Sequence, residues 1–271
     1  MPGSERWVRV LSLCAAMCAL GAAAHAQIPQ PVESPAPSGP EFLSRYDFHL
    51  SAASLATDDV DFAWDTHFGG SFDIADYVLG RLGLLVDYEA GLGNEPRIFD
   101  PNQGNYTLEP SLSVRAGGME IAAIFHHQSR HLGDRPKEGA VAWNELGVRL
   151  LRHAAVGAGT LDIDVEGGPV IQHSFVDYTW MAALGVTARR PLNDRLAVFL
   201  QANGQLIGID ETVNGRGTQT GGIAEAGVRI RGSNGGAALE LFAGVERRID
   251  PWPVSVGVTQ WGLAGLRVVS R

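Results

Sequence analysis

From Arg45 onward, apolar residues recur at every second position. Tyr106, Leu108, Pro110, Leu112, Val114 and Ala116 share one parity, and Thr107, Glu109, Ser111, Ser113 and Arg115 share the other. The pattern returns at Leu161, Ile163 and Val165 against Asp162, Asp164 and Glu166, and again at Trp180, Ala182, Leu184, Val186 and Ala188. A period of two sends alternate side chains to opposite faces of a strand, and no segment carries the helical period. The breaks in the pattern predict twelve strands, at 45–56, 60–74, 78–90, 105–116, 119–129, 140–153, 159–172, 177–190, 195–208, 218–232, 236–248 and 254–269. Each is about long enough for a tilted bilayer crossing, which takes about 9–11 residues.

The connections alternate as well. Gly117-Gly118 and the stretches 154–158, 191–194 and 232–236 are short, whereas 91–105, 130–139 and 209–219 are longer and more polar. Short turns on one rim and long loops on the other mark a barrel of the outer-membrane type, and an even strand count puts both ends on the short-turn side. The expected fold is therefore all-β: a transmembrane antiparallel up-and-down β-barrel of twelve strands over residues 45–271, in the outer membrane of a Gram-negative-type bacterium. A soluble sandwich shares the alternation but not the loop rhythm. In this reading the apolar parity faces lipid and the polar parity faces the lumen, which Asp162, Asp164 and Glu166 line. Trp64, Trp180, Trp252 and Trp261 read as interfacial girdle residues.

Ahead of the barrel, Arg6 and Arg9 flank a short apolar run, Val10 to Ala24, and Ala24-His25-Ala26 has small residues where a signal peptidase cuts. Residues 1–26 thus read as a signal peptide. Both cysteines, Cys14 and Cys18, fall within it, so the mature chain is expected to hold no disulfide. Residues 27–44 form a periplasmic N-terminal segment with Pro29, Pro31, Pro35, Pro37 and Pro40, a composition that favours extended chain. A formal net charge of −9 without a basic run argues against nucleic acid as a partner.

The chemistry-bearing stretch is Phe125-His126-His127-Gln128-Ser129-Arg130, followed by Trp143-Asn144. Met119, Ile121, Ala123 and Phe125 set the lipid-facing parity of one predicted strand, which His127 and Ser129 continue, while His126 faces the lumen. In the next strand Asn144 shares the parity of Leu146, Val148 and Leu150. A serine hydroxyl needs a base to become a nucleophile, a histidine supplies one, and a third polar group fixes the imidazole tautomer. Residues two apart on a strand lie about 6–7 Å apart on one face, and the cross-strand neighbour is the natural place for the orienting amide. Polar residues at a barrel rim cost little, so His127 and Ser129 also admit a reading as plain rim residues.

These residues resemble the bacterial outer-membrane phospholipases A, twelve-stranded barrels with a lipid-facing Ser-His-Asn triad formed by His-x-Ser and a downstream Trp-Asn. The matching residues are His127, Ser129 and Asn144, with Trp143 before the asparagine. Asn105-Tyr106 and Glu109-Pro110 are similar to a family Asn-Tyr-Glu-Pro strand, with the second pair displaced by two residues. The motif likeness spans about 105–150. It implies a serine esterase acting on acyl esters of membrane lipids, active as a homodimer with calcium. Here Arg130 stands where the family has asparagine, and the loop between serine and asparagine is three residues longer. The residues left for the oxyanion are Arg130 and Gly133, and those left for calcium are Asp134 and Glu138. Lipid A 3-O-deacylases also carry an outward His-x-Ser, but Val141 stands where their glutamate is expected. A non-catalytic barrel, structural or a narrow pore, is the reading from a different class.

Overall fold

A computed structural model describes residues 31–95, 97–133, 136, 139–233, 236–253 and 255–270. The expected signal peptide, Asp134 and Glu138 lie outside the described residues. Twelve strands close into one antiparallel barrel: β1 (Glu41–Ala56), β2 (Trp64–Asp76), β3 (Arg81–Gly93), β4 (Asp100–Ala116), β5 (Met119–Leu132), β6 (Val141–Val156), β7 (Gly159–Ser174), β8 (Tyr178–Pro191), β9 (Leu196–Ile209), β10 (Gln219–Arg231), β11 (Ala238–Ile249) and β12 (Val258–Val269). Each strand pairs with its sequence neighbours, and β1 pairs with β12 to seal the wall. Closure leaves no unpaired edge, which a bilayer would penalise heavily. The one short helix among the described residues, α1 (Glu211–Asn214), lies in the β9–β10 loop, where no helix is expected from the sequence. The Asp210 carboxylate caps it by accepting from the Thr212 amide. β1 begins at Glu41, four residues ahead of the expected start.

The outer wall is apolar. Phe48, Phe68, Leu112, Leu146, Val148 and Leu241 are exposed although large and hydrophobic, as a lipid-facing belt requires. The inner wall carries buried charge held in pairs. Arg149 reaches Glu109, Asp164 and Glu166. Arg267 joins Glu225 and Glu240, and Arg81 joins Asp73 and Glu120. Burying such groups is expensive unless every charge finds a partner, so these networks fix the register of the strands that carry them. Asp162 and Asp164 are lumen residues, but they are ion-paired inside rather than bathed in solvent.

Two expectations need correction. The lumen is not uniformly polar: Ala53, Leu55, Phe62, Phe199, Ile223, Phe242, Trp261 and Leu263 form an apolar core inside it. Trp261 and Trp252 belong to this core rather than to a girdle. Trp261 shares the inward parity of Leu263 and Arg267, and its ring stacks on Phe62 at 5.6 Å, while Trp252 meets Phe62 edge-on at 5.8 Å.

Both mouths are occupied. At the short-turn end, residues 31–34 lie against lumen side chains. Arg81 donates to the Val32 carbonyl at 2.8 Å and Arg115 to the Ser34 carbonyl at 2.9 Å. At the long-loop end, Arg216 forks between Asp177 and Asp250, clamping three loops together.

Candidate functional site

β5 and β6 bring the sequence-nominated trio to one place. His127 and Asn144 are direct register partners, and Ser129 lies opposite Ala142. Burial alternates along both strands: Ala122, Ile124, His126, Gln128 and Arg130 are enclosed, whereas Ala123 and Phe125 are exposed and His127 and Ser129 half-buried. Asn144 is half-buried on the same side as the exposed Leu146, Val148 and Leu150. All three side chains therefore stand on the outer wall, near the rim where β5 runs into β6.

The imidazole and the amide are engaged. His127 Nδ1 lies 2.6 Å from Asn144 Oδ1, and Asn144 Nδ2 donates to Gln172 Oε1 at 2.9 Å. Since Oδ1 can only accept, Nδ1 carries the proton, which leaves Nε2 as the basic nitrogen. Neither His127 Nε2 nor Ser129 Oγ has a hydrogen-bond partner among the described residues, so the serine–histidine contact is not formed in this conformation.

Gln172 is the member that alternation along the chain misses. β7 reads with Leu161, Ile163 and Val165 outward, which would turn residue 172 inward. A bulge intervenes: Asn144 pairs with Gln172 but Glu145 pairs with Val170, so one residue of β7 is skipped. The extra residue flips the parity beyond it and delivers Gln172 to the outer wall.

Inward neighbours hold this wall in place. Trp143 is buried in the lumen, edge-on to Tyr178 at 5.1 Å, with the Arg130 guanidinium 5.1 Å from its ring centre. With Trp143 locked inward, the pleat compels Asn144 outward. His126 pairs with Glu109 at 2.9 Å and is a lumen residue, as its parity predicts. On the outer wall, Tyr106 is the register partner of Ser129 and packs against Tyr88 at 4.9 Å and His131 at 5.4 Å. This aromatic shelf has one apolar face and polar tips, a composition suited to the headgroup boundary.

The residues nominated for the oxyanion are disposed differently. The Arg130 side chain turns into the lumen and donates to the Asp250 carbonyl. The Gly133 amide donates to the Asn102 carbonyl at 2.7 Å. Val141 is buried; the position where a deacylase would carry its glutamate therefore does not face lipid.

No family profile and no curated protein matches the sequence. Solved structures do match the fold. The chain is similar to the Salmonella typhi outer membrane phospholipase dimer with bound calcium, at TM-score 0.51 and 15% identity over 83% of this chain and 90% of that one. It is equally similar to outer membrane phospholipase A from Escherichia coli, at TM-score 0.51 and 15% identity over 83% and 92%. LpxR from Salmonella typhimurium stands further off, at TM-score 0.47 and 11% identity. At these identities the likeness is one of fold: the chain is an outer-membrane-type barrel of the phospholipase A shape.

Proposed function

We propose that the protein is an outer-membrane serine esterase that hydrolyses acyl esters of outer-leaflet lipids, with Ser129 as nucleophile, His127 as base and Asn144 as the group that orients His127. The observation that carries this reading is the 2.6 Å contact of His127 Nδ1 with Asn144 on the lipid-facing wall, with Ser129 two residues along the same strand face. The likeness in fold to phospholipase barrels supports the same substrate class.

In the proposed reaction, His127 Nε2 takes the Ser129 proton as Oγ bonds to the ester carbonyl carbon. Collapse breaks the ester bond, and the leaving alcohol oxygen of the lyso-lipid receives that proton from His127. Water, deprotonated by the same nitrogen, then cleaves the acyl-serine and releases a fatty acid. Residues two apart on a strand are about 6–7 Å apart, so the Ser129–His127 contact needs side-chain rotation alone, and such contacts commonly tighten only with substrate. The ester arrives laterally from the bilayer, with the Tyr88–Tyr106 shelf beside the serine. The oxyanion would be held by backbone amides after Ser129, because the Arg130 guanidinium is committed to the lumen. For Gly133 to contribute, its amide must leave the Asn102 carbonyl.

Calcium and a homodimer belong to the proposal only through resemblance. Among the described residues flanking Ser129 on this face there is no carboxylate, so they do not fit a calcium site, and no step is routed through the ion. The buried position of Val141 favours phospholipid over a deacylase-like action on lipid A. The lumen packed with ion pairs and aromatic side chains weighs against a narrow pore.

Purified protein in mixed micelles of detergent and phosphatidylethanolamine should release fatty acid, assayed with and without calcium. Ser129→Ala should abolish release. A folded Ser129→Ala barrel that keeps the wild-type rate refutes the mechanism, and a wild-type barrel inert on phospholipid and on lipid A, with calcium present, leaves the non-catalytic reading standing.

A further inference from the structure

On the opposite side of the wall, three inward side chains form one row across consecutive strands. His67 on β2 is the register partner of Glu89 on β3, and Glu89 is the register partner of Asn105 on β4. Asp65 lies two residues along β2, where its partner Gly91 has no side chain to obstruct it. Asp65, His67 and Glu89 are buried, and one donor atom from each falls within 4.8 Å of the others. From this row we infer that the barrel lumen contains a binding site for a divalent first-row transition metal ion, held by Asp65, His67 and Glu89 with Asn105 completing the shell.

Four independent features support the site. The first is unmet hydrogen-bonding capacity: Asp65 Oδ1 and Asn105 Oδ1 are buried oxygens without a partner, in residues 1% and 3% exposed. Buried polar atoms are rarely left this way unless a water or ion serves them. The second is space: both residues border a lumen cavity of about 20 Å³, shared with His67 and Glu89, and one small ion or water needs roughly 10–15 Å³.

The third is outer-shell geometry. His67 Nδ1 lies 2.8 Å from Asp87 Oδ2, and Asp87 Oδ1 lies 2.6 Å from His49 Nε2. With Nδ1–H donated to that carboxylate, His67 Nε2 is the nitrogen turned toward the site, 3.7 Å from Asp65, and it becomes a ligand on giving up any proton it carries. A carboxylate behind a metal-binding histidine orients the ring and raises its basicity. The fourth is charge. Asp65, Asp87, Glu89 and Glu246 are all buried here; Arg248 bridges three of them, Arg130 borders the same cavity, and His49 and His67 flank Asp87. With the imidazoles neutral, as metal binding requires, four carboxylates against two guanidiniums leave a deficit that a divalent cation offsets.

Arg248 bridges Asp65 and Glu89 in this structure, and an ion must displace it from them. It has a retreat: Glu246 accepts from its Nε at 2.6 Å, and the Trp261 ring centre lies 5.4 Å from its guanidinium. The donor set is one imidazole nitrogen with carboxylate and amide oxygens. That mixture suits zinc and its neighbours rather than calcium or magnesium, which prefer oxygen alone.

The site is independent of Ser129, and its test is separate. The folded barrel in detergent is stripped with a chelator, dialysed against zinc, and assayed for bound metal; cobalt is then substituted to read the visible bands of a low-coordinate site. One ion per chain is expected in the wild type and in Ser129→Ala, and none in His67→Ala or Glu89→Gln. Asp87→Asn keeps all the ligands and should weaken binding by about 10–100-fold. Folding is read on each sample from its heat-dependent gel mobility, and if His67→Ala fails to fold, Glu89→Gln and Asp87→Asn carry the test. No retained zinc at about 10 µM free metal, where protein zinc sites are saturated, overturns the assignment. So does one ion per chain that survives in the folded ligand variants.

Discussion

Replacing Asn144 by alanine removes the acceptor held 2.6 Å from His127 Nδ1. It takes away the hydrogen bond that fixes which imidazole nitrogen is basic. The cost to catalysis is a difference between two states. In the proposed mechanism the imidazole starts neutral, as a base must, and a neutral hydrogen bond contributes about 0.5–1.5 kcal/mol net. In the transition state the ring is cationic, and a hydrogen bond to a charged group contributes about 1.5–3 kcal/mol. The differential of about 1–1.5 kcal/mol corresponds to about tenfold in kcat with KM little changed. Gln172 touches Asn144 and not His127, through the 2.9 Å bond from Asn144 Nδ2. Gln172→Leu should therefore cost about threefold or less, a fraction of one neutral hydrogen bond. The double variant should be no slower than Asn144→Ala alone, because Gln172 acts only through the amide it holds. The assay is steady-state fatty-acid release from mixed micelles, with the Ser129→Ala rate subtracted. An Asn144→Ala rate within twofold of wild type refutes the relay, and so does a double variant whose loss is the product of the two single losses.

Two further expectations concern stability. Arg149 faces Glu109, Asp164 and Glu166 across the lumen, so Arg149→Met should lower unfolding free energy in a urea titration by about 3–5 kcal/mol. Adding Glu109→Gln should recover part of that loss, and a shift below about 1 kcal/mol for the single variant contradicts the network's role. At the loop mouth, burial opposes ionisation of Asp177, but hydrogen bonds from Arg216 and Asn214 outweigh it and hold the carboxyl below its ordinary value. A depressed carboxyl contributes stability that is present above the unfolded value of about 3.9 and is lost as pH falls through the lower folded value. The gap in urea midpoint between wild type and Asp177→Asn should therefore be largest above about pH 4–5 and shrink below it; a gap that stays constant with pH counts against the clamp.

The twelve strands were readable because alternation is local: each needs only its own residues to declare two faces. The same local rule assigned His127 and Ser129 outward and His126 inward, and the structure bears out each parity. Asn144 was legible for the same reason, since Leu146, Val148 and Leu150 mark its face. The rule fails where two strands fall out of step. Gln172 was hidden because the bulge opposite Asn144 and Glu145 belongs to the pairing of β6 with β7, not to β7 alone. Trp252 and Trp261 were misread because a tryptophan near a strand end fits a girdle and an inner core equally well. What separates the two is the company of Phe62, far away in the chain.

Charge pairing followed the same division. Acidic residues of inward parity are visible in the chain, but their partners are not. Glu89 meets Arg248 across 159 residues, and Arg267 meets Glu225 across 42. The sequence by itself determined that this chain alternates, that its loops differ on the two rims, and that a histidine, a serine and an asparagine share the outer face. The tertiary structure decided that Gln172 holds Asn144, which side chains fill the lumen, and that Asp65, His67, Glu89 and Asn105 converge. The physical reason is that side-chain direction depends on the local pleat, whereas convergence depends on barrel closure and register, which arise only when the strands pair.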